Sequence, residues 1–170
     1  MAPSKNRYFE LILESEKTPD QKKPNILTDK LNYVCESVKN VIWGIESFPE
    51  EGTSAENEMS IVQYSELNGK KILLTGDVGR NGLMEAADYA DKIGIKLPGI
   101  NIFQVPHHGS RHNISIETLN RWLGKNLSEE EIARNGNKFS AFISSAKADK
   151  KHPRKSVIRA FIHRGAKVLA

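Results

Sequence analysis

The chain has 170 residues, 25 Lys and Arg against 21 Asp and Glu, a formal charge of +4 and 38% hydrophobic residues. That length suits one domain with a substantial core, and no apolar run reaches the length of a membrane span. The single cysteine, Cys35, excludes an internal disulfide, and the first ten residues lack a signal-peptide core, so the sequence predicts a soluble, cytoplasmic protein.

In chain order, Tyr8 to Leu13 has the length and composition of a short strand, and Thr18 to Pro24 is a polar loop. Leu27, Leu31, Val34, Cys35, Val38 and Ile42 recur at helical spacing behind Thr28 and predict an amphipathic helix. The acidic stretch from Phe48 to Asn57, with its Pro and Gly, predicts a loop. Met59 to Glu66 and Lys70 to Thr75 flank Asn68-Gly69, which predicts a two-residue hairpin. Asn81 to Ile93 predicts a helix, Ile100 to Val105 a buried strand and Ile116 to Leu123 a further helix. Ser128 to Glu131 has the spacing of a capping box and starts another helix. Phe139 to Ser144 is a predicted strand. Pro153 suits the first position of a helix running to His163, Gly165 ends it, and Lys167 to Leu169 starts a last strand. Strands alternating with helices from Met59 onward imply a layered α/β fold with parallel pairings after the hairpin.

Two hydrophobic runs end abruptly in residues that bind metals. Leu73-Leu74-Thr75-Gly76-Asp77 offers a carboxylate at a strand tip, and thirty residues on Val105-Pro106-His107-His108-Gly109-Ser110 offers paired imidazoles. A carboxylate can bridge two cations, and imidazole nitrogen suits zinc, manganese or iron. Taken singly, Asp77 reads as an ordinary cap or turn residue; in this order with His107 and His108 it points to part of a metallohydrolase site. Downstream, His152 lies in a strongly basic stretch. From Lys147 to Ala170 there are eight Lys or Arg and one acid, Asp149, so the rest of the chain is net acidic. Such a run is ordinarily a solvated face, but it would also attract a phosphate-bearing substrate or nucleic acid. His112 and His163 read as isolated histidines, the second as a cation near a helix end. Asp88 and Asp91 read as solvated, and Trp43 and Trp122 as core or interface anchors. The glycines at 76, 79 and 82 read as permitting tight turning rather than as a nucleotide loop.

Four motifs in order, Asn57-Glu58-Met59-Ser60-Ile61-Val62, Lys71 to Asp77, His107-His108-Gly109-Ser110 and His152-Pro153 before a helix, resemble the metallo-β-lactamase superfamily, and within it the ComEC-type hydrolases. The resemblance runs from about Val41 to Leu169. It implies an αββα sandwich and a site for two divalent metals, zinc or manganese, that activates water to cleave a phosphodiester or related ester. It also implies that Asp77 bridges the metals and His108 is a terminal ligand, with His107 and His152 meeting the substrate or bound water. Asn57, Ser60, Ser110, Arg111 and Arg154 fall where substrate contacts are expected, Asn57 in the segment where many relatives place another His. The family's upstream His-x-His-x-Asp-His motif is absent, because no His precedes His107. The expected architecture is therefore the C-terminal half of the domain over residues 41–170, preceded by an N-terminal strand and helix segment, residues 1–40, that the resemblance does not assign. A partner N-terminal half, a second subunit completing the site, and a non-catalytic relative that binds nucleic acid or protein through the basic end are the three alternatives this leaves.

Overall fold

A computed structural model describes residues 2–14, 46–146, 148, 149 and 151–170. Cys35, Trp43 and the helix expected over 27–42 lie outside the described residues.

Helix α1 spans Lys5–Glu14, where the sequence suggested a strand. The reason is local: the Ser4 hydroxyl accepts from the Arg7 amide at 3.3 Å, and Arg7 pairs with Glu10 one turn on at 3.2 Å. Tyr8 and Leu11 then fall on adjacent turns, and Leu11 is buried. The acidic stretch expected as loop ends in a short helix, α2 (Ala55–Glu58), because Ser54 caps it by accepting from the Asn57 amide.

The hairpin forms as expected. Strands β1 (Gln63–Leu67) and β2 (Lys70–Leu74) pair antiparallel, and Asn68 and Gly69 both take the positive φ of a two-residue turn, 50° and 69°. From β2 onward every neighbour is parallel. Helix α3 (Arg80–Lys92) leads to β3 (Ile102–Gln104); α4 (Ile116–Leu123) and α5 (Glu129–Asn135) lead to β4 (Phe139–Phe142); α6 (Lys155–Ile162) leads to β5 (Ala166–Leu169). The result is a five-stranded mixed sheet in the order β1-β2-β3-β4-β5. The fold is mixed α/β. Among the described residues no helix is long and apolar enough to cross a membrane.

Period-two alternation decides which side of the sheet is dry. Leu73, Phe103, Ala141 and Val168 are in register across the four strands. The first three are buried in one cluster with Leu83, Ala86 and Ala90 of α3, Trp122 of α4, and Val157 and Phe161 of α6. Phe103 meets Phe161 at 5.3 Å between ring centres, and the Trp122 indole donates to the Leu83 carbonyl at 3.0 Å. The opposite side carries Leu74, Phe142 and Leu169, which remain 43%, 43% and 38% exposed.

Asp88 and Asp91 stay exposed as expected, and both pair with Arg121 of α4, which joins α3 to α4. One charge expectation changes. Arg164 is not part of a solvated basic face: its side chain is fully buried, paired with Glu46 at 2.9 Å and bonded to Asn120 at 2.8 Å. His163 closes α6 and contacts the same Glu46 carboxylate at 2.9 Å. Helix α6 begins at Lys155 with Arg154 as its cap, two residues after the Pro153 expected to open it. Pro153 and Arg154 serve instead to tie two loops together, as described next.

Candidate functional site

Each parallel strand from β2 to β4 runs toward the same edge of the sheet and is followed there by one chemical motif. In open α/β sheets that carboxyl edge is where ligands bind. After β2 comes Thr75-Gly76-Asp77. Thr75 is fully buried, and its hydroxyl donates to the Gln104 carbonyl at 2.8 Å. The Gln104 side-chain oxygen accepts in return from the amides of Thr75 at 3.1 Å and Gly76 at 3.4 Å. Beyond it the Asp77 amide donates to the Ser60 hydroxyl at 3.2 Å, and the Asn113 amide group donates to the Asp77 carbonyl at 2.7 Å. The Asp77 main chain is thus held on both sides. Its carboxylate makes no hydrogen bond or ion pair with the described residues.

After β3 the chain enters a 3₁₀ turn, His107–Gly109, in which all three residues have positive φ: 45°, 54° and 81°. For the two histidines this costs roughly 1–3 kcal/mol each, and surrounding contacts hold it. The His107 amide donates to the Gly76 carbonyl at 3.1 Å, joining this turn to the Asp77 loop. A Cβ at Gly109 would lie 2.8 Å from the Pro153 Cβ, and the Arg154 amide donates to the Gly109 carbonyl at 3.1 Å. Gly109 is therefore required twice over, for its φ and for the contact that brings the His152 loop against His107.

After β4 the chain turns through Asp149 before α6. Asp149 Oδ1 accepts from the amides of Lys151 at 2.7 Å and His152 at 3.2 Å, and Oδ2 lies 3.0 Å from His152 Nδ1. The Lys151 amide first, then the His152 ring, pull the Asp149 carboxyl below its ordinary pKa.

The ring of His107 lies 5.8 Å from that of His108 and 6.2 Å from that of His152. The Asn57 amide nitrogen donates to Thr53 at 2.6 Å and to His107 Nδ1 at 2.8 Å. With that lone pair engaged, the neutral His107 ring carries its proton on Nε2. Burial lowers the His107 pKa; the Asp77 charge opposes this, and His108, His152 and His112 reinforce it. His108 is exposed and places Nδ1 against the Ser144 carbonyl.

The expected site residues divide accordingly. Asp77, His107, His108, His152 and Asn57 gather at one edge, and Arg154 joins them through its amide. Ser60 and Ser110 act on the main chain, Ser110 accepting from the His112 amide at 3.3 Å. Arg111 is 4% exposed. Four residues with structural parts in the site were not singled out from the sequence: Gln104, Asn113, Asp149 and Glu58. Only Asp149 left a signal, an acid three residues before His152-Pro153, the spacing of a side-chain-capped turn.

Among the described residues no three His, Cys, Asp or Glu side chains are grouped so as to hold a metal ion. The donors among the described residues do not by themselves fit the two-metal site that the resemblance implies. Among the described residues the arrangement offers the Nε2 atoms of three imidazoles and the Asp77 carboxylate, which has no hydrogen bond or ion pair there, on loops locked to one another. The fold and site define a mixed α/β protein with an imidazole–carboxylate cluster at the carboxyl edge of its sheet. No protein-family model, no curated protein and no solved structure matches the chain.

Proposed function

We propose that this chain contributes one half of a divalent-metal-dependent hydrolase of the metallo-β-lactamase type, acting on a phosphodiester or related ester. One observation carries the reading: three successive strands deliver Asp77, the His107-His108 pair and the His152 loop, in that order, to one sheet edge. Asp77 and His108 are the ligands this half would contribute, and the rest come from a second polypeptide. Two further features support incompleteness. Among the described residues the donors do not close a metal site, and the sheet face opposite the helices keeps Leu74, Phe142 and Leu169 partly exposed, as an inner face awaiting a second layer would. The αββα sandwich belongs to this reading and would exist only in the assembled pair.

Metal content per chain is the deciding measurement, by elemental analysis after loosely bound ions are removed. The expected result is at most one metal for the chain alone and two after a complementing N-terminal half is added. Hydrolysis of an activated phosphodiester should then appear and be abolished by Asp77→Ala. Salt-sensitive DNA binding that survives both Asp77→Ala and chelation, with no hydrolysis in any combination, overturns the enzyme reading in favour of a binding module.

A further inference from the structure

The imidazoles at the sheet edge differ in what holds their Nδ1 atoms. His107 accepts there from the amide of Asn57 at 2.8 Å. His108 and His152 instead face acceptors, the Ser144 carbonyl and the Asp149 carboxylate. In the neutral ring an acceptor at Nδ1 requires the proton on that atom and leaves the Nε2 lone pair bare. We propose that Asp149 is a positioning residue that fixes His152 as its Nδ1–H tautomer, so that His152 Nε2 serves as the proton acceptor of the site.

The turn makes this assignment rigid. Both Lys151 and His152 donate their amides to Asp149 Oδ1, at 2.7 and 3.2 Å, so the carboxylate cannot rotate without losing two bonds. Oδ2 is left facing the ring, at 3.0 Å. A proton taken up at Nε2 converts the ring to an imidazolium whose Nδ1–H already lies on that carboxylate, which stabilises the charge as it forms. Beside it, at 6.2 Å between ring centres, His107 presents the opposite character, an Nε2–H suited to a substrate oxygen. The two rings thus act as an acceptor and a donor, set by Asp149 and Asn57 respectively. The tautomer assignment stands on geometry alone; its catalytic meaning rests on the hydrolase reading.

Nitrogen-15 spectra of the histidine rings in the intact chain test it directly, without metal, substrate or partner. The expected pattern is a protonated Nδ1 and bare Nε2 for His152, and the reverse for His107. Asp149→Asn sharpens the test. The amide oxygen keeps both main-chain bonds and the NH₂ takes the place of Oδ2, so His152 should switch to the Nε2–H tautomer while His107 stays unchanged. A wild-type His152 protonated on Nε2, or a His152 that does not switch in Asp149→Asn, overturns the proposal. Should the tautomers be as expected while the completed enzyme hydrolyses nothing, the proposed function fails and the positioning role of Asp149 stands. Hydrolysis by an enzyme whose His152 carries the other tautomer would overturn this proposal and leave the function intact.

Discussion

At the scale of single residues, the site depends on side chains that are awkward where they stand. Gly109 is the clearest. Its φ of 81° and the 2.8 Å approach of Pro153 leave no room for a methyl group. Gly109→Ala should cost roughly 2–4 kcal/mol, combining left-handed strain with overpacking. Urea unfolding would register this as a lower midpoint at unchanged slope. His107 gives a pH signature. Because burial lowers its folded pKa below the unfolded value, the unfolded chain takes up that proton first as pH falls. The folded state therefore loses stability as pH drops from about 6.5 toward the lower folded value. Comparing urea midpoints of wild type and His107→Gln from about pH 7.5 to about pH 5.5 should show the steeper decline in wild type.

At the scale of elements, the short helix α2 shows why some of the site was legible in the sequence and some was not. Asp77, His107 and His108 were readable because each ends an apolar run, and a buried strand announces where its tip lies. The hairpin at Asn68-Gly69 was readable because two consecutive positive φ angles need those residue types. Glu58 carried no such mark: it stands inside the Asn57 to Val62 motif, just past the acidic stretch, with no role of its own to be read there. In the fold it is 4% exposed, and its carboxylate accepts from the amides of Asn81 at 3.3 Å and Gly82 at 2.9 Å, closing the exposed end of α3. Gly79 leaves it space, since a Cβ there would lie 2.0 Å from Glu58 Oε1. Long-range capping of this kind pairs positions 24 residues apart and leaves no local pattern. Glu58→Ala should destabilise by about 2 kcal/mol, from a lost cap and two unsatisfied amides, and Glu58→Gln by less. Thermal melts of the two variants side by side would check the order. The misread strand at Tyr8 to Leu13 has a similar origin: six residues are too few for period two and period 3.6 to separate, and Ser4 decided the outcome.

At the scale of the whole molecule, the two sides of the sheet differ in kind. One is sealed by α3, α4 and α6; the other presents Leu74, Phe142 and Leu169 part-exposed. Substituting Leu74 and Phe142 together by Lys should leave the stability of the chain within about 1 kcal/mol, because neither lies in the sealed cluster. If the proposed second half covers this face, the same pair of substitutions should abolish its association, as read by sedimentation of the mixed proteins. Retained association would place the partner elsewhere. The α/β class itself was legible from the alternation of strands and helices. The sealed and open sides were not, since Leu73 and Leu74 are adjacent and equally apolar, and only the register across β2, β3 and β4 separates them.

The sheet topology also bears on how the site comes into being. Each strand pairs with the next in sequence, but only β1 and β2 are joined by a tight turn; every later pairing waits for a crossover through at least one helix. Local hairpins close within microseconds, whereas parallel pairings must first bring distant segments together. Asp77 follows the strand at which the local part ends, and His107 and His152 follow strands that join only by crossover. A chain halted after its hairpin would thus hold an ordered turn and no imidazole cluster, and the contact between Asn57 and His107 is expected to form only after that crossover.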